Sequence, residues 1–286
     1  MPTAEQMVAS SVTLVTLPAI FIRVKRVVDD QSTTASDLAK VISADPAMTA
    51  RVLKLINSAF WGFSGRIESV SRAVSLLGMI HVHDLVLATA VVEAFDRVRP
   101  EQMDMAKFWR GSVFRALAAT ALARRSKLAD LGRVFAEALL SDLGHMVIYM
   151  KAPELAAQAM MQSQEQPWEL AQVERSLIGC DFAQVGGALV ESWKLPQCYG
   201  DAIRHQNDPQ GAAAHALEAS LLHVAGMLTE LRGSQSERAA LVARIAPFAW
   251  QTIGLSPDCL PEIMYEAESN LSATAQMFGV PLSGAA

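Results

Sequence analysis

Ala138-Leu139-Leu140-Ser141-Asp142-Leu143-Gly144-His145-Met146-Val147-Ile148-Tyr149-Met150 is the stretch whose reading decides the fold. It is apolar almost all round, which predicts a helix buried on several sides rather than along one stripe. It nevertheless carries a carboxylate, Asp142, and an imidazole, His145. A buried carboxylate costs several kcal/mol unless it is paired, hydrogen-bonded or bound to a metal. Asp142 therefore serves a site or has a local partner.

Working outward, strand signals are nearly absent, and the chain is expected to be all-α. Helix starts recur instead. Pro18 heads an apolar-periodic run to Val28, and Thr33 or Thr34 with Asp37 opens a helix to Ala44. Asp45-Pro46 is an N-cap followed by a proline at the first helical position, and predicts a helix over Ala47 to Ala59. Ser69 opens a helix that stops at Gly78, and His83 to Phe95 is the next. The charged, Pro100-containing segment from Arg97 to Asp104 is the best boundary. Longer helices follow: Met105 to Arg125, Arg133 to Met150, Glu154 to Gln164 and Trp168 to Ile178. Asp181 caps a helix to Trp193 and Pro196 starts one to His205; Ala212 to Leu231, Arg238 to Thr252 and Pro261 to Phe278 close the chain. The expected organisation is an N-terminal lobe over 1–99, a second lobe over 100–232, and C-terminal helices over 233–286 packing on the second.

The 286 residues, 51% of them hydrophobic, suffice for one large domain or two modest ones. The net charge of −5 argues against nucleic acid, which needs a dense basic face. Cys180, Cys198 and Cys259 lie far apart with no CxxC, so no zinc knuckle or disulfide framework is expected. The start has no long apolar run, and no stretch nears the ~18 apolar residues of a membrane span. A reducing cytoplasm is the expected compartment.

Asp45-Pro46-Ala47-Met48-Thr49-Ala50-Arg51-Val52-Leu53-Lys54-Leu55-Ile56-Asn57-Ser58-Ala59-Phe60 resembles the signature of the HDOD family, the HD-related output domains. Ile67-Glu68-Ser69-Val70, Ala73-Val74-Ser75-Leu76-Leu77-Gly78, Leu17-Pro18 and Trp193-Lys194-Leu195-Pro196 extend the match, in order, over about residues 12 to 230. The resemblance implies a two-lobed, all-helical bacterial protein, related to the metal-dependent HD phosphohydrolases and usually acting as a non-catalytic signalling module.

HD enzymes hold a divalent metal with a His, a His-Asp pair and a later Asp, and the ion turns a bound water into a nucleophile. Here Gly111 stands at the first His, Ser141-Asp142 at the pair and Gly226 at the later Asp. Related two-metal enzymes add histidines where this chain has Phe182 and His205-Gln206. Only Asp142 and His205 survive, short of the three or four ligands a catalytic divalent site uses. No metal or other cofactor is therefore expected. A makeshift site of Asp142, His145 and His205 is one alternative. The other is that Asp142 accepts hydrogen bonds from a helix terminus or Ser112 as a buried pin. The literal dipeptide His83-Asp84 is expected to be a solvated helix start, and His215 and His223 to be satisfied core or boundary histidines.

No GxSxG, P-loop or dinucleotide fingerprint occurs. Gly186-Gly187 is expected to serve close helix packing. If catalysis is gone, binding carries the function. Trp61 and Phe63 in a loop are a candidate partner surface, against the alternative that they seal the first lobe. The groove near Arg97 to Trp109 is a second place for a ligand. The expected partner is a signalling protein or a small phosphorylated messenger, with a second copy of the chain as a further candidate. The rival class is a divergent metal-dependent phosphohydrolase acting on nucleotides or cyclic dinucleotides.

Overall fold

The computed structural model describes residues 1–11, 16–63, 65–95, 98, 100, 103–127, 130–164, 166, 169–233 and 242–280. The boundary positions 97, 99, 101 and 102, together with Trp168 and residues 238–241, lie outside these. Among the described residues the chain is helical and has no strand.

The first lobe is built from α2 (Ala19–Asp29), α3 (Ala35–Ser43), α4 (Pro46–Ile56), α5 (Val70–Leu77) and α6 (Met79–Phe95). Its starts follow side-chain capping. Thr34 and Asp37 form a capping box at α3, Asp45 accepts from Met48 N–H with Pro46 at the first position of α4, and Ser69 accepts from Arg72 N–H at α5. Gly78, at φ +84°, ends α5 and lets α6 begin at Met79, four residues before the expected start.

The second lobe centres on α7 (Met105–Arg125). Around it stand α8 (Leu131–Leu140), α9 (Leu143–Lys151), α10 (Pro153–Gln162), α11 (Leu170–Ile178), α12 (Phe182–Ser192), α13 (Gln197–Arg204) and α14 (Ala216–Gly233). The chain closes with α15 (Pro247–Ile253) and α16 (Leu260–Met277). A short helix not expected from the sequence, α1 (Ala4–Ala9), packs on α12 and α9. Helix α7 is flanked by α8, α14 and α16, while α6 of the first lobe lies on α8. One continuous apolar core runs through both lobes.

The deciding stretch is a correction. It is two helices, not one, and the break falls at Ser141-Asp142 between α8 and α9. Its apolar side chains are buried on all sides, but the turn frees both polar residues to face a neighbouring helix. Gly144 sets the approach of α12: a Cβ there would lie 1.9 Å from the Phe182 carbonyl oxygen. Gly186 and Gly187 also pack closely, a Cβ on each lying 3.0 Å from Ile203 Cγ2 and Arg204 Cβ of α13.

Candidate functional site

Ser141, Asp142 and Gln206 converge around a guanidinium. Arg115, in the middle of α7 and 6% exposed, donates from Nη1 to Asp142 Oδ1 (2.6 Å), Gln206 Oε1 (2.8 Å) and Ser141 Oγ (3.0 Å). Gln206 is fixed in turn, its Nε2 donating to the Ser141 and Ile203 carbonyls. Ser141 Oγ donates to the Ala138 carbonyl. The partner of Asp142 is thus Arg115. Ser112 is turned back on its own helix, donating to the Phe108 carbonyl.

Gly226 makes room for this cation. A Cβ on Gly226 would sit 3.3 Å from Arg115 Nη2, and one on Gly111 would meet only Thr229 Cγ2, at 3.7 Å. Arg115 was missed in the sequence, although a signal exists. It is the only charge between Ser112 and Ala123, and it lies four residues past Gly111, hence on the same helix face.

His145 sits beside this centre. Its Nδ1 is 3.4 Å from Glu174 Oε1, and its ring stacks on Phe182 at 4.0 Å between centroids. Glu174 also accepts from Phe182 N–H at 2.8 Å, tying α11 to the start of α12. Burial pushes the imidazole toward neutrality, but the hydrogen bond and charge of Glu174, with Asp142, outweigh it and raise its pKa above the ordinary value. His223 is the opposite case. Its Nδ1 donates to the Gln206 carbonyl (2.9 Å) and its Nε2 accepts Ala246 N–H (3.1 Å), so it is neutral, and burial lowers its pKa. It is a satisfied core histidine. His205 packs at the Gly211 turn and is not among the residues lining the cavity beside Arg115, so Asp142, His145 and His205 are not assembled as one site. That cavity is small, about 100 Å³; Arg115, Asp142, His145 and Glu230 all line it, and burial raises the pKa of the Glu230 carboxyl.

The divalent ion of HD enzymes does not fit this set. One carboxylate, one hydroxyl and one amide surround a fixed positive charge, which repels a second cation. Among the described residues, no group of three or more His, Cys, Asp or Glu side chains could hold a metal ion.

A second polar centre lies under α6, α8 and α13, and it corrects the reading of His83-Asp84. The pair is buried, not a solvated helix start. Asp84 Oδ1 accepts from Tyr199 Oη (2.9 Å) and lies 2.9 Å from His83 Nδ1, while Oδ2 has no partner. Glu137 of α8 is fully buried, and neither of its carboxyl oxygens has a hydrogen-bond partner. Burial pushes its pKa well above the carboxylate range, Arg133 opposing and Glu218, Asp84 and Asp130 adding to the rise. Burial likewise raises the Cys198 thiol to about 11 and the Tyr199 phenol well above its ordinary value.

The loop aromatics divide. Trp61 packs between Phe60 (5.7 Å) and Phe135 of α8 (5.9 Å), sealing the lobes together, whereas Phe63 is exposed. Near the other expected groove, Trp109 is buried edge-on to Phe108. A groove of about 970 Å³ is instead lined by α4, the segment after it and Met277 of α16. No helix among the described residues is long and apolar enough to cross a membrane.

Comparison with known proteins agrees with the architecture. A curated but uncharacterized protein of Treponema pallidum (strain Nichols) is 26% identical over 197 residues, covering 68% of this chain. This chain spans only 37% of that relative's length. A solved structure from Geobacter sulfurreducens, an HDOD domain protein of unknown function, superposes with a TM-score of 0.73 at 23% identity, covering 98% of this chain and 99% of the other. A Shewanella amazonensis structure, described provisionally as a phosphohydrolase, gives 0.72 at 26% identity, covering 96% and 97%. The model of the HDOD domain matches residues 14–209, and with the two-lobed helical fold around it the chain belongs to the HDOD family.

Proposed function

We propose that this chain is a non-catalytic signal-transduction module that works by binding, with a degenerate HD centre. The observation carrying this reading is Arg115. Its guanidinium is held by Ser141, Asp142 and Gln206, the positions that would supply metal ligands in HD enzymes. A protonated guanidinium cannot leave by titration. The centre therefore keeps the packing role of a metal and none of its Lewis acidity. The partner is a signalling protein or a small phosphorylated messenger, in the cytoplasm, with neither nucleic acid nor membrane involved; a second copy of the chain is a further candidate.

The rival reading, a divergent metal-dependent phosphohydrolase acting on nucleotides or cyclic dinucleotides, draws on the provisional name of the Shewanella amazonensis relative. Elemental analysis of the purified chain, expressed with added Mn, Fe, Ni and Zn, separates the two. Far less than one ion per chain is expected. Near-stoichiometric metal that disappears in Asp142→Ala would overturn the proposal.

A further inference from the structure

We infer that the groove beside α4 is the docking site for an acidic peptide segment of a partner protein, one carrying a single apolar anchor. The inference rests on the binding-module reading above and deepens it.

The groove shares no lining residue with the cavity beside Arg115. Its floor is apolar, from Leu53, Ile56, Ile67 and Met277. Two cations, Lys54 on α4 and Arg66 on the facing segment, are exposed along it, and Glu68 is the one acid among its described lining residues. The groove is thus locally positive on a chain whose net charge is −5. An acidic segment is drawn to this face and repelled elsewhere.

The wall opposite α4 is pre-built. Asn57 Nδ2 donates to the Ile67 carbonyl (2.8 Å), and Ile67 N–H donates back to Asn57 Oδ1 (2.7 Å), pinning both ends of the segment. Arg124 Nη2 donates to the Phe60 carbonyl (2.9 Å), and its guanidinium lies over the Phe60 ring. Phe60 and Trp61 pack inward, and Phe63 alone of the three aromatics stays 37% exposed, at the groove. An aromatic held outward on a pinned segment costs little ordering free energy when it is covered. A peptide with acids flanking an apolar residue meets the cations and covers Phe63 and the floor together.

Selection of a random-peptide phage library on the full chain, counter-screened on Lys54→Glu/Arg66→Glu, tests this. Enriched peptides are expected to combine two or more acids with an apolar residue. A fluorescein-labelled consensus should lose about tenfold in affinity on the double variant, a 1.4 kcal/mol effect, and comparably on Phe63→Ser. Its binding should weaken as salt rises past physiological strength. All three positions are exposed, so melting temperatures should match the wild type; Lys54→Ala/Arg66→Ala repeats the test if the reversal does not fold. Peptides lacking acids, or bound equally by the variants, overturn the proposal. So does a thermal shift with ATP, GTP or a cyclic dinucleotide that the double variant abolishes, which would make the ligand a small anion. A dimer that the double variant splits would make it a second copy and also overturns the peptide. None of these outcomes bears on the metal content of Arg115's centre, which tests the underlying reading separately.

Discussion

Two polar centres share helix α8 and are wired in opposite ways. At its C-terminal end, Ser141 and Asp142 meet Arg115 and Gln206, and the charges are matched by hydrogen bonds. One turn earlier, Glu137 has a carboxyl with no hydrogen bond, beside Asp84 with one free oxygen. The first centre keeps its charges because each has a partner. At the second, burial pushes the Glu137 carboxyl toward its protonated form. Burial alone therefore does not mark a functional carboxylate; what surrounds it decides whether it is a strut or a neutral filler.

The sharpest way to break this contrast is Arg115→Ala. It leaves Asp142 and Gln206 facing each other without their donor, and should cost ~3–5 kcal/mol in urea-induced unfolding. A loss under about 1 kcal/mol, the range of an ordinary surface change, would erase the distinction. Asp142→Ala should be destabilising for the same reason, by less, because Asp142 is partly exposed.

At the second centre the sign reverses. Glu137→Leu should leave stability unchanged or raise it by ~1–3 kcal/mol, because it removes a buried carboxyl that makes no hydrogen bond and has only a loose 3.7 Å approach from Arg133 Nε. The pH dependence sharpens this. Above the ordinary carboxyl value of 4.5 the unfolded chain releases the Glu137 proton while the folded chain retains it. Stability should then fall as pH rises toward the folded-state value, by at most ~1.4 kcal/mol per pH unit, and Glu137→Gln should flatten that slope. A steeper alkaline loss in the Gln variant would show that the carboxylate is ionised and paired after all.

The smallest effects should come from the two histidines flanking Arg115's centre. His145, raised, contributes stability that is full below its ordinary value of 6.5 and lost as pH climbs through its folded value. His223, lowered, contributes stability that is full above 6.5 and lost as pH falls through its folded value. The pH slope of stability across the neutral range should therefore shift in opposite directions for His145→Gln and His223→Gln, each variant losing roughly 1 kcal/mol or less. Shifts of the same sign would mean that the Glu174 and Ala246 contacts are not what sets these imidazoles.

Much of the fold was legible locally. Asp45-Pro46, Ser69, Asp181 and the Thr34–Asp37 box each open a helix where the sequence puts one, because capping is a short-range matter. The break inside Ala138–Met150 was not legible: an apolar run without Gly or Pro at the turn reads as one helix, and the partners that meet Ser141-Asp142 there, Arg115 and Gln206, come from distant parts of the chain. The site was half readable. Ser141, Asp142 and Gln206, which the sequence reading grouped, do meet, but what joins them, Arg115, is a long-range contact. His83-Asp84 misled because its partner, Tyr199, is 115 positions away.

The rod α7 gives the two faces of the molecule a common axle. Arg115 holds the inner centre, and nine residues on, about 14 Å along the axis, Arg124 grips both the Phe60 carbonyl behind the groove and Glu266 of α16. Whatever leans on the groove wall thus leans on the end of the same stiff helix whose middle anchors Asp142.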